Sequence, residues 1–166
     1  SQTRSGYSTV QRCCHWIIMI LCLASYPTAE AIRTGHIGHV FGVRGPVLDQ
    51  IKAFVHEWGG WLALALVFVL AISRLVQGVP DLPKGMARWE RCLAHVTHFA
   101  IYAALIALAA SGAAAMYSGG IYGQMHVTAA RIGLALVTLH VLAVFWHQVI
   151  QGDRLLSRMW PIRPRR

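Results

Sequence analysis

Four histidines, His15, His56, His126 and His140, stand in stretches that otherwise read as hydrocarbon. His126 and His140 are fourteen residues apart in MHVTAARIGLALVTLH. On a helix that spacing returns the second to within about 40° of the first's direction and sets it about 21 Å further along the axis. Imidazoles at two levels of one face serve two cofactors stacked across a bilayer; one metal ion could not bridge them. A zinc site wants four ligands converging on a point, whereas these histidines come in twos at separate levels. One imidazole from each of two facing helices is bis-histidine ligation of haem iron, which fills both axial positions and favours electron transfer.

The elements that must position these side chains follow from composition. The 166 residues are 56% hydrophobic and 13% charged, with a mean hydropathy of +0.50, outside the usual range for a soluble domain. Crossing a bilayer core takes about 20 mostly apolar residues in a helix. Four stretches qualify, and they predict helices over about 9–32, 51–77, 87–117 and 125–152. The first contains Pro27, a kink or a local unwinding. The third holds no Asp, Glu, Lys or Arg between Cys92 and Met116. The expected fold is all-α, a single four-helix transmembrane bundle spanning 1–166. No small-residue cleavage pattern follows the first apolar run, so that run is expected to be a retained helix and not a cleaved leader.

The basic residues predict orientation. Arg4, Arg12, Arg74, Lys84, Arg88, Arg91, Arg154, Arg158, Arg163, Arg165 and Arg166 fall on one side of such a bundle, against Arg33, Arg44 and Lys52 in the first connection and none in the third. Both termini are therefore expected in the cytoplasm. The net charge of +9 is then a topology signal; spread over separate membrane-proximal segments, it does not form a nucleic-acid footprint. Cys13, Cys14, Cys22 and Cys92 read as reduced packing residues, and CCHW lacks the CxxCH spacing of covalent haem attachment.

Depth then pairs the histidines. The second helix enters from the periplasm with His56 a few residues inside, level with His126. In GYSTVQRCCHW, Ser8 is a plausible N-cap, which puts His15 about 10 Å into the first helix, near the level of His140. The pairs are His56 with His126 and His15 with His140. His147, seven residues past His140, is about 20° off its direction and about 10 Å further on, so geometry alone also admits it as the partner of His15. His95 and His98 lie on neighbouring surfaces of one turn; they either hydrogen-bond a haem propionate or quinone carbonyl, or snorkel toward headgroups. Arg74 either pairs with a propionate of the inner haem or snorkels. Arg131, within the fourth helix, needs an anion: a propionate of the outer haem, or else Glu57 or outward snorkelling.

Four stretches together carry a family likeness: GYSTVQRCCHW, FVHEWGGWLALAL, RWERCLAHVTHFAIYAALIALAASG and the fourteen-residue histidine spacing. They resemble the bacterial cytochrome b561 family, related to the membrane cytochrome b subunits of nickel-iron hydrogenases and formate dehydrogenases. The resemblance covers nearly the whole chain. It implies a four-helix bundle in the bacterial inner membrane holding two b-type haems, the cytoplasmic-side one on His15 and His140 and the periplasmic-side one on His56 and His126. It thereby prefers His140 to His147.

The chemistry implied is one-electron transfer across two haems to the membrane quinone pool, with ubiquinone as acceptor. Some family members oxidise superoxide at the periplasmic face. Here Arg33, His36, His39, Arg44 and Lys52 make a basic first connection that would attract a small anion, while Trp58 and Trp61 suit either that face or the interfacial aromatic belt. The alternative is a non-catalytic electron-relay and anchor subunit for a periplasmic dehydrogenase, hydrogenase or c-type cytochrome. A third connection of about nine residues, YSGGIYGQM, favours the stand-alone oxidoreductase. A metal transporter would instead carry no haem.

Overall fold

The computed structural model describes residues 6–40, 46–83, 85–118, 120–153 and 155–160. Arg4, Arg44, Lys84, Arg154, Arg163, Arg165 and Arg166, which entered the orientation argument, lie outside the described residues. The chain folds as α1 (Thr9–Val40), α2 (Val47–Gln77), α3 (Arg88–Ser118) and α4 (Gly120–Trp146), then a π-helical turn (His147–Gln151) and a short α5 (Leu155–Met159). No strand occurs among the described residues. Thr9–Ile32, Val47–Gln77, Arg88–Ser118 and Gly120–Gln151 are each long and apolar enough to cross a membrane. The expected all-α class with four spanning helices is what forms.

Two boundaries differ from the sequence expectation for physical reasons. α1 runs past Ile32 to Val40, because RTGHIGHV has no proline, and a glycine costs only about 1 kcal/mol in a helix already nucleated. The extension carries Arg33, His36 and His39 on helix and not on a loop. The nine-residue third connection does not form either: α3 ends at Ser118 and α4 begins at Gly120. Only Gly119 separates them, and Gly120, with φ +48°, takes the left-handed conformation that a glycine adopts without strain. IYGQM is apolar and polar enough by turns to continue as the first turn and a half of α4.

Packing divides into two compact units, Ser1–Arg12 with Ser73–Arg166, and Cys13–Ile72. In the first, α3 and α4 pack along each other as an antiparallel hairpin. α4 has no fully buried residue, and Leu134, Leu139 and Leu142 are 50%, 49% and 61% exposed. Such surface would be an aggregation liability in water but is what lipid-facing helices present, since their backbone is already satisfied internally.

The start of α1 is a capping box. Gln11 N–H donates to Ser8 Oγ at 3.3 Å and Ser8 N–H to Gln11 Oε1 at 3.1 Å, so the expected N-cap is formed. Gln11, 1% exposed, has a second task. Its Nε2 donates to the Ser73 carbonyl at 3.3 Å and the Gly78 carbonyl at 3.0 Å, tying the start of α1 to the end of α2. Gln11→Leu would strip both carbonyls and the box at once. It should destabilise the protein by about 1–3 kcal/mol, read as a lower midpoint of thermal unfolding in detergent; an unchanged midpoint would mean that water or another donor replaces the amide.

Candidate functional site

In the unit Cys13–Ile72 the site residue with the most defined setting is His56 on α2. Its Nδ1 lies 2.9 Å from the Ser25 carbonyl and 3.3 Å from Thr28 Oγ1. A carbonyl can only accept, so Nδ1 carries the proton and Nε2 has the lone pair that a metal ion would need. The stretch of α1 that receives it surrounds Pro27, whose missing N–H leaves the i−4 carbonyl without its usual donor. Hydroxyls reinforce the same stretch: Ser25 Oγ donates to the Leu21 carbonyl at 2.8 Å, and Thr28 Oγ1 to the Ala24 carbonyl at 3.0 Å. Gly59, one turn along α2 from His56, faces Leu21 and Ser25, which lie at ordinary contact distances of 3.8 and 4.0 Å from where a Cβ would stand. His15, half-buried on the second turn of α1, packs edge-on against Trp16 with centroids 5.9 Å apart.

In the other unit, α3 and α4 meet in one register. Gly112 faces His126, Ala104 faces Gly133 and His98 faces His140. The fourteen-residue step down α4 is thus matched by an equal step along α3. At the upper level His126 Nδ1 donates to the Leu108 carbonyl at 2.8 Å, which again leaves the lone pair on Nε2. A Cβ on Gly112 would stand 2.9 Å from both Cε1 and Nδ1 of the ring, so only glycine admits it. At the lower level the His98 and His140 rings meet edge to face, centroids 5.0 Å apart and planes at 77°. His98 Nδ1 donates to the Ala94 carbonyl at 2.6 Å. Since α4 is unbroken from Gly120 to Trp146, the axial separation of about 21 Å between its two histidines holds.

The remaining predicted residues separate into those drawn into this arrangement and those left outside it. His98 is turned in, whereas His95 is exposed. Arg74, in the last turn of α2, lies beside Tyr7 and Tyr102. Arg131 is on an exposed face of α4. Lys52 pairs with Asp49 at 3.6 Å, so part of the basic charge expected at the first connection is met within α2. His147 opens the π-helical turn and binds Asp153 Oδ2 through Nδ1 at 2.8 Å. Gly152, with φ +70°, turns the chain so that a residue six positions on can reach back, a contact no α-helical spacing suggests. Among the described residues no three His, Cys, Asp or Glu side chains gather to hold a metal ion by themselves.

These residues fit a b-type haem. His56 and His126 are each fixed by a backbone carbonyl in the tautomer that presents Nε2, the outer hydrogen bond that usually orients an iron-ligating histidine. A buried guanidinium nitrogen of Arg74 and the buried hydroxyl of Tyr102 have no hydrogen-bond partner among the described residues, the kind of donors a propionate would use. The sequence reading gave no role to Leu108, Tyr102 or Gly112, which lie inside the quoted RWERCLAHVTHFAIYAALIALAASG stretch, nor to Ser25 or Asp153 outside the motifs. Two of them act through backbone carbonyls, which no residue type signals. Gly112 is legible only as a glycine in an alanine-rich helix.

The sequence pattern of the family described as prokaryotic cytochrome b561 matches residues 6–161. Cytochrome b562 of Cereibacter sphaeroides is 30% identical, over 96% of this chain and 97% of its own length. Cytochrome b561 homolog 1 of Escherichia coli strain K12 is 24% identical over 95% and 98%. A probable superoxide oxidase CybB of Yersinia pestis is 23% identical over 93% and 96%.

Proposed function

This chain belongs to the prokaryotic cytochrome b561 family, a family of membrane electron-transfer proteins, and we propose that it is a di-haem b oxidoreductase linking a periplasmic one-electron donor to the quinone pool. It is a multi-pass protein of the cytoplasmic membrane and, as a cytochrome b, carries haem b. In the proposed arrangement His56 and His126 ligate the periplasmic-side haem and His15 and His140 the cytoplasmic-side haem, with both termini in the cytoplasm. A haem b held by two imidazoles supplies one-electron transfer without an open iron position. The protein's part is orientation. The Ser25 and Leu108 carbonyls hold the His56 and His126 rings by Nδ1–H, and His98 buttresses His140. The observation that carries the reading is this repetition along α3 and α4 of one supported histidine per level, two levels fourteen residues apart.

Superoxide is the leading donor. Two superoxide ions give two dioxygen molecules, and the two electrons with two protons reduce one ubiquinone to the quinol. Support comes from the full-length likeness to a probable superoxide oxidase and from the basic residues at the first connection, which would draw in a small anion. Arg131, in the periplasmic half of α4, is proposed to meet a propionate of the outer haem, and the quinone to approach the cytoplasmic half near His95 and His98. The purified protein, given superoxide and a soluble ubiquinone analogue, should reduce the quinone unaided. Reduction only when a periplasmic partner is added back would replace this reading with that of a relay subunit.

A further inference from the structure

The end of α2 holds a cation that forms no ion pair among the described residues. The Arg74 guanidinium lies 5.6 Å from the centroid of the Tyr7 ring and 5.7 Å from that of Tyr102. Arg74 Nε and Tyr102 Oη are both buried with no hydrogen-bond partner among the described residues, and the two side chains lie close together. Ring faces attract a cation but give neither of these donors an oxygen acceptor. Two carboxylates of the same unit are engaged elsewhere: Asp153 is bound to His147, and Glu90 accepts from the Ala87 N–H and from Gln151. No ion pair among the described residues includes Arg74. A guanidinium with a buried, unpartnered Nε in a membrane-spanning region is expensive to leave without an anion, so the site suits a group that arrives with one.

The donor set says which group. A charged N–H and a phenolic O–H side by side match the two oxygens of a carboxylate. A neutral quinone carbonyl would accept from them but leave the charge of Arg74 uncompensated. Position points the same way. Tyr102 follows His98 by four residues on α3, hence on the same face, and the His98 ring packs on His140. We propose that Arg74 and Tyr102 bind a carboxylate side chain of the haem held by His140, with the Tyr7 ring covering the guanidinium, and that this clamp raises that haem's reduction potential. The proposal rests on the di-haem reading above. Its physical basis is that a fixed positive charge and a hydrogen bond at the carboxylate favour the reduced iron over the oxidised.

Potentiometric titration of the purified full-length chain in detergent, followed by haem absorbance, tests it with Arg74→Gln and Tyr102→Phe. Arg74→Gln should lower the midpoint potential of one haem, the one that disappears in His140→Leu, and leave the other at its original value. Tyr102→Phe should lower the same haem by less, and Arg74→Lys should fall between Arg74→Gln and the unaltered protein. If Arg74→Gln fails to hold that haem at all, the Tyr102→Phe titration decides. Two haems at unaltered potentials in both variants would overturn the proposal. So would equal shifts of both haems, or unaltered potentials with lost quinone reduction, which would assign the cluster to the quinone. Fewer than two haems in the unaltered protein would instead bring down the di-haem reading itself.

Discussion

Replacing His126 or His140 by leucine should halve the haem content of the purified protein, each variant losing a different haem, while His147→Leu keeps both. The expectation follows from the two levels of α4. In the proposed arrangement each of these two histidines would be one of two protein ligands to its iron, and a leucine would leave a single ligand, too few to hold the group through purification. His147 differs because it stands in the π-helical turn, beyond the α-helix that sets the two levels. Pyridine haemochrome assay with protein quantification reads the outcome directly. Two haems in His140→Leu and one in His147→Leu would move the inner ligand by two turns.

Gly112→Ala is the second large effect, and it comes from a residue with no chemistry of its own. The added methyl would stand 2.9 Å from two ring atoms of His126, inside any tolerable contact. The ring cannot simply swing aside, because Nδ1–H is held by the Leu108 carbonyl at 2.8 Å and Nε2 is proposed to hold iron. Losing an orienting contact of this kind typically weakens metal binding by about 10- to 100-fold. The periplasmic-side haem should therefore bind substoichiometrically while the cytoplasmic-side haem, fourteen residues away on both helices, keeps its spectrum and occupancy. Haem titration into the variant would show two unequal sites; two full-affinity sites would mean that α3 and α4 part easily at this level.

What could be read from residues alone was whatever side-chain type and period encode. The four apolar spans, the Ser8 cap and the fourteen-residue interval between His126 and His140 were visible because hydrophobic length, capping chemistry and helical rise are properties of sequence. The supports of those histidines were not. Ser25 and Leu108 act by their carbonyls, which every residue possesses, and only an antiparallel register puts Leu108 beside His126. Asp153 reaches His147 through a π-turn that ordinary helical spacing excludes. Nor did composition show where α1 stops, since glycines at positions 35 and 38 are weak enough breakers for the helix to carry the basic residues of the first connection to Val40.

The division between His95 and His98 has the same origin. Three residues apart, they are equivalent to a pattern reader, yet α4 lies against only one of the two surfaces, so His98 meets His140 and His95 stays exposed. Tyr102 becomes meaningful only when Arg74, from another helix, is seen beside it.

The most direct test of the central claim is a haem count. Purified in detergent and assayed as the pyridine haemochrome, with a reduced-minus-oxidised spectrum of the same sample, the protein should contain two b-type haems per chain, both six-coordinate and low-spin. One haem per chain, or none, would contradict the two-level arrangement of His15, His56, His126 and His140.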